Sequence, residues 1–343
     1  MANVGDTLEH CTGTGTQSDP YIYTTEEGFK EAIAVDSSYI EAGESNLNFD
    51  ANNGIITQVS FRCRYIDGKG TTIRNLFTQN SGTNLIYFNV NHSVDIYNIN
   101  FYNMYIATTT SWQRARFIFD SNDNGSDHNK FFKNCNFTGI YKGYPLGDNW
   151  GLISSFYSNG NAYHSMIFKD CTFNFNLDMT ASGNNTNTVI FQMNGYNSLY
   201  AIELSNCTIC ISGKTPTSAN YPVYLCKGTI VLDSCVFTNS PTNPLSIANG
   251  SNSNARLILE TSTSGRKYST TYNYFKMYIN GNGLSGRIEC GNNHILINTS
   301  RITGIPTITG GIQMQETDPT LNTYIYDAEN LANAGFLVGQ DVE

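Results

Sequence analysis

Phe132-Lys133-Asn134-Cys135-Asn136-Phe137, Phe168-Lys169-Asp170-Cys171-Thr172-Phe173 and Leu204-Ser205-Asn206-Cys207-Thr208-Ile209 share one pattern: apolar, any residue, Asn/Asp/Ser, Cys/Ile, any residue, Phe/Ile. Ile96-Tyr97-Asn98-Ile99-Asn100-Phe101 precedes them, and Leu232-Asp233-Ser234-Cys235-Val236-Phe237 follows. From Ile99 to Cys135, Cys171 and Cys207 each step is 36 residues, and the step to Cys235 is 28. Ile73-Arg74-Asn75-Leu76 reads as an earlier copy, with Leu76 standing 23 residues before Ile99. Leu259-Glu260-Thr261-Ser262 is a weaker later one.

The spacing inside the pattern decides the fold. A strand buries every second residue. Here the buried types fall at positions 1, 4 and 6, so the alternation skips once, at the Asn. A single residue in a left-handed bend produces that skip, and Asn and Asp tolerate the bend best after Gly. Each pattern is therefore two short strands joined by a tight corner. Stacked copies place Asn98, Asn134, Asp170 and Asn206 in one column and the cysteines in an inward one. A third apolar strand opens at Phe117, Ile153 and Val189, again 36 apart, with Leu85-Ile86-Tyr87-Phe88 and Val223-Tyr224-Leu225 as further copies.

Three strands per repeat with turns of variable length predict an all-β solenoid, a right-handed parallel β-helix of roughly nine coils about 4.8 Å apart. Propellers and sandwiches use antiparallel strands, and a 23-residue step is too short for a four-stranded blade. Lys130 breaks the pattern. It stands where other repeats have Val94, Met166, Ile202 and Ile230. An inward lysine must find partners, or the register must shift.

Composition agrees. Charged residues make up 14% of the 343, too few for a helical surface, while 40% hydrophobic is too many for a disordered chain. The net charge of -9 and the lack of a Lys/Arg cluster argue against nucleic-acid binding. No apolar run is long enough for a membrane helix, so no membrane insertion is expected. Met1 to Leu8 lacks the regions of a signal peptide. The nine cysteines read as small buried apolar residues.

The expected division is a cap at 1–58, the coils at 59–312 and a second cap at 313–343. Thr24-Thr25-Glu26-Glu27 is a capping box before a helix that carries Phe29, Ala32 and Ile33 on one face, with Gly28 weakening it slightly. Asp327 opens a second short helix through Leu331 and Ala334, stopped by Gly335.

Three coils of one length bring their loops side by side: Met104 to Arg116, Ile140 to Leu152 and Asn176 to Thr188. Trp112, Arg114, Tyr141, Tyr144, Asp148 and Trp150 gather there as a candidate glycan surface, where ring faces beside polar groups suit sugars. Such rings also serve simply to pack loops. His92, His128, His164 and Tyr200 share another column. They read as stacked turn residues, since no carboxylate completes a metal triad. Asp120, Asn122, Asn124 and Asp127 resemble the start of a calcium loop, but Phe131 stands where its bidentate Glu belongs. No cofactor is expected beyond that calcium candidate.

The Asn-Cys-x-Phe ladder resembles the pectate-lyase-like right-handed parallel β-helix superfamily over roughly residues 60 to 300. That superfamily includes polysaccharide lyases, glycoside hydrolases, adhesins and phage tailspikes. The Asn-Thr-Asp, Asp-Asp and Arg-Ile-Lys motifs of its polygalacturonase-like branch are absent, so no catalytic residue is assigned. The segment from Gly13 to Ile22 with the helix after it, and the stretch from Asp327 to Gly339, resemble β-helix proteins of phages and prophages. That resemblance implies a virion structural protein assembled in the host cytoplasm: a head fibre, capsid decoration or tail spike. Other virion proteins, copies of itself (a trimer favoured) and host-surface or mucosal glycans are the partners it implies. A depolymerase acting on the lateral face is the alternative.

Overall fold

The computed structural model describes residues 2–79, 82–109, 115–121, 128–144, 151–157, 163–178, 188–195, 199–214, 223–227, 230–233, 236–238, 256–260, 276–277, 287–290, 294–297, 307–309 and 312–315. The described residues are mostly β-strand, in parallel sheets. Among the described residues there is one α-helix.

One sheet runs in the order Cys11–Thr12, Tyr21–Tyr23, Tyr39–Ala42, Tyr65–Arg74, Val94–Ala107, His128–Lys133, Tyr163–Lys169, Leu199–Ser205, Ile230–Asp233. A branch carries Asn136–Lys142, Thr172–Asp178, Thr208–Lys214 and Val236–Thr238 beside it. A second sheet runs from Val59–Phe61 through Asn84–Phe88, Arg116–Ser121, Gly151–Tyr157 and Thr188–Gly195 to Thr307–Thr309. Every pairing between these strands is parallel except that of Cys11–Thr12 with Tyr21–Tyr23. Strands thus pair with the equivalent strand of the next repeat, and parallel pairing requires such long crossovers.

The corner residues carry the geometry expected of them. Asn98, Asn134, Asp170 and Asn206 have φ of 54°, 53°, 55° and 52°. Asn134 Nδ2 donates to Asn98 Oδ1 at 3.3 Å, and Asn206 Nδ2 to Asp170 Oδ1 at 2.6 Å. Behind them, Cys135, Cys171 and Cys207 are buried and free. Their thiols donate to the carbonyls of Ile96, Phe132 and Phe168 in the preceding repeat. Phe101, Phe137 and Phe173 stack with centroids 5.4 and 5.2 Å apart, and Phe132 and Phe168 at 4.8 Å. Each such ring contributes about 1.5–3 kcal/mol by burial, and stacking adds roughly 0.5–1.5. The two sheets face each other across this core, where Phe117 meets Phe175 and Phe173 meets Phe191.

Two register expectations are corrected. Ile73-Arg74-Asn75-Leu76 does not stack on the Asn98 corner. Ile73 pairs with Phe101 and Arg74 with Tyr102, and Asn103 Nδ2 donates to Asn75 Oδ1 at 2.7 Å. The residues behind the Asn98 corner are Asp67 to Gly70, with Lys69 and Gly70 at positive φ. A Cβ on Gly68 would lie 2.5 Å from Ile99 Cγ1, so this corner needs glycine for close approach. In the second sheet Ile118 pairs with Ile153 and Ile153 with Phe191, not the 36-residue partners. Turns on either side of that strand differ in length, so only the corner keeps the repeat exact.

The helix Glu26–Ile33 begins as its sequence implies. Thr25 Oγ1 accepts from Gly28 N at 3.2 Å, and Phe29, Ala32 and Ile33 are buried. Gly28 has a packing reason: a Cβ there would sit 2.5 Å from His10 O. Tyr21–Tyr23 and Tyr39–Ala42 pair into the first sheet on either side of this helix, so the 1–58 segment already contributes strands to it. Ile312–Gln315 pairs with His294–Ile297 across the 312/313 boundary. The helix expected at Asp327 lies outside the described residues.

Candidate functional site

Five successive strands of the first sheet each hold a fully buried residue in one inward column: Ile40, Ile66, Ile96, Phe132 and Phe168. Their neighbours along the chain point outward, because a strand alternates its faces. One outward column runs Tyr39, Tyr65, Asp95, Phe131, Ile167. The other runs Glu41, Asp67, Tyr97, Lys133, Lys169. The two columns lean together. Tyr39 and Tyr65 stack at 6.1 Å, Tyr65 and Tyr97 approach to 5.3 Å, and Tyr97 meets Phe131 edge-on at 5.7 Å.

The carboxylates differ in their partners. Asp67 Oδ1 accepts from Lys69 N at 2.9 Å and from Asn98 Nδ2 at 2.8 Å. Glu41 forms an ion pair with Lys69 at 3.1 Å. Asp95 accepts no hydrogen bond among the described residues. It stands between Tyr65 and Phe131 in its column, and burial alone pushes its carboxyl above the usual range. Burial, followed by the field of Asp95, pushes the Tyr97 phenol up to about 12. Tyr65 is raised by burial, then by Asp67, Glu41 and Asp95. A ligand donating hydrogen bonds would meet a desolvated carboxylate and two phenols with no side-chain hydrogen bond among the described residues. Perturbed groups among aromatic rings are a common sign of a binding site.

Of the surface expected from the sequence, Trp112, Arg114, Asp148 and Trp150 lie outside the described residues. Tyr141 is corrected. It is fully buried and donates from its hydroxyl to Tyr144 O at 2.6 Å, so its ring has no face for a sugar. Tyr144 is partly exposed and anchored by its amide to Thr108 Oγ1. Asp120, the first of the calcium candidates, is buried on the strand Arg116–Ser121. Lys130 raises a positive field at its carboxyl and Ser155 hydrogen-bonds it, which disfavours a calcium ion there. Asn122, Asn124 and Asp127 lie outside the described residues. His128 pairs in register with His164 and that with Tyr200, as the shared column implies. His128 is buried, 3.9 Å from Asp120 Oδ2.

Sequence reasoning missed the Tyr/Asp face, although the triplets were readable. Tyr39-Ile40-Glu41, Tyr65-Ile66-Asp67 and Asp95-Ile96-Tyr97 each place an aromatic and an acid on either side of a buried isoleucine. Elsewhere, ligand atoms of Glu9, His10 and Glu31 come within 4.8 Å of one another, but His10 and Glu31 already hydrogen-bond each other at the surface. Among the described residues no helix is long and apolar enough to cross a membrane. Comparison with family models, with curated proteins and with solved structures found no match.

Proposed function

We propose that the chain is a right-handed parallel β-helix that presents the Tyr39–Tyr65–Tyr97 face to an extended glycan, as a non-enzymatic surface protein of a phage particle. The winding is supported by strand pairing at whole-repeat distances, by the left-handed Asn/Asp corner column and by two parallel sheets sharing one core. The observation that carries the glycan reading is Asp95: a desolvated carboxylate beside the half-buried Tyr65 and the buried Phe131, with no protein donor among the described residues. Rings stacked on one another offer edges and hydroxyls more than faces. Recognition therefore runs through phenol oxygens and carboxylates, with ring edges as an apolar rim. The two columns follow the stacking direction with one step per strand, about 4.8 Å, close to the length of one sugar unit in an extended chain. The tip-to-tip reach suits a short oligosaccharide segment.

The virion placement rests on the resemblance of the opening and closing segments to phage proteins. Mass spectrometry of purified particles tests it, and absence from the particle overturns it. One observation favours a depolymerase as the second reading. Asp67 and Asp95 stand on adjacent strands of one face, a pair of carboxylates of the kind glycoside hydrolysis uses. Release of reducing ends from a bound polysaccharide, lost in Asp95→Asn, would favour it over simple binding.

A further inference from the structure

Lys130 is fully buried in a column otherwise filled by Val94, Met166 and Ile202. The register does not shift to expel it. Pairing continues from Lys130 opposite Val94 to Lys133 opposite Tyr97. The ammonium instead donates to His92 O at 2.8 Å and Val90 O at 3.3 Å, and lies 5.8 Å from the centre of the Phe88 ring. Both carbonyls belong to the turn just before the strand Val94–Ala107, in the preceding repeat. Burial pulls the Lys130 amine down to about 8, against the opposing fields of Asp120 and Cys63.

The neighbouring repeats are otherwise interchangeable. Ile96, Phe132, Phe168 and Leu204 fill one buried column, and Ile99, Cys135, Cys171 and Cys207 another. A coil that stacked on the wrong neighbour, or on the same coil of a second chain, would bury nearly the same apolar surface. Repeat proteins misassemble in this way. A buried charge with partners in only one arrangement penalises the alternatives, and removing one partner of a buried pair typically costs several kcal/mol.

We propose that Lys130 is a coil-order key: its ammonium is satisfied when His128–Lys133 lies beside Val94–Ala107 under the Val90–His92 turn, and coils stacked out of order, within one chain or between chains, strand it. The key rests on the observed strand pairing and is independent of the glycan reading. The titratable groups that face it among the described residues are Asp120 on Arg116–Ser121, Cys63 before Tyr65–Arg74, His92 in the turn and His128 on its own strand. Val94 and Met166 flank it with none.

The test is refolding of the full chain from urea at pH 7, followed by light scattering on a sizing column. Lys130→Met with Asp120→Leu, which copies the Met166 neighbour and removes both charges together, is expected to keep or raise the urea midpoint while the share of non-native oligomers at least about doubles. Lys130→Met alone, which leaves the Asp120 carboxyl without its cation, is read for oligomers only, and is used if the double variant does not refold. A wild-type size distribution in the variant that refolds overturns the key. So does a lowered midpoint in the double variant, or failure of both variants to refold, because a key lowers stability and does not supply it.

Discussion

Asn134 and Asn98, 36 residues apart, hydrogen-bond side chain to side chain while both hold left-handed backbone, φ 53° and 54°. One residue type thus satisfies the bend and links consecutive repeats. Asn134→Ala is expected to lose the bridge and to bear the left-handed conformation with a Cβ, together about 2 kcal/mol. Asn134→Gly removes the bridge but relieves the backbone, so its loss should be clearly smaller. Urea denaturation of both variants checks this, and equal losses would mean the backbone bend contributes nothing.

The thiols behind that corner should be inert. Burial pushes Cys171 well above the usual thiol range, and Cys135 and Cys207 share its column. A thiol needs its thiolate to react. In native protein at pH 8 these three cysteines are expected to resist a disulfide-exchange reagent and to react fully in urea. Peptide mapping of the labelled sites decides, and rapid native labelling at Cys171 would contradict the buried column.

The pH dependence of Lys130 has a defined sign. Its folded value of about 8 lies below the ordinary 10.5. Between these values the unfolded chain binds more protons, so this residue's contribution to stability rises with pH across that window and its penalty is complete below about 8. Lys130→Met with Asp120→Leu should therefore gain on wild type as pH falls from 10.5 to 8, by up to about 3 kcal/mol relative to its margin at pH 10.5. Taking the difference between the two proteins cancels the buried thiols and phenols, which titrate in both. A margin constant from pH 7 to 10 would show that the amine is not desolvated.

Gly28 separates propensity from packing. Alanine in a helix interior is ordinarily worth about 1 kcal/mol over glycine. At this site the added carbon would press on the His10 carbonyl at 2.5 Å, between the helix and the opening segment. Gly28→Ala is expected to lower the melting temperature, and a rise would mean the opening segment moves aside freely.

The corner was legible in the sequence because the Asn/Asp residue and the cysteine after it recur in one window, and corner geometry admits few residue types. Asn75 was assigned to the wrong corner because Tyr65–Arg74 and Val94–Ala107 are long strands with two left-handed bends on the latter, at Asn98 and Asn103. A pattern of four residues does not distinguish them. Tyr141 looked like a loop aromatic, yet its strand Asn136–Lys142 runs on to place it in the core. Asp95 was passed over because its role comes from Tyr65 and Phe131, 30 and 36 residues away in the chain and adjacent only after stacking.

The central claim is that Tyr65, Tyr97 and Asp95 form one glycan-binding face. Binding of the folded protein to an array of neutral, amino and uronic polysaccharides tests it most directly, with wild type beside Tyr65→Ala/Tyr97→Ala and Asp95→Asn. Wild type should be retained on at least one class, and both variants should lose affinity at least about tenfold, roughly 1.4 kcal/mol, with circular dichroism unchanged. Retention undiminished in both variants, or no retention of wild type on any class, would contradict the claim.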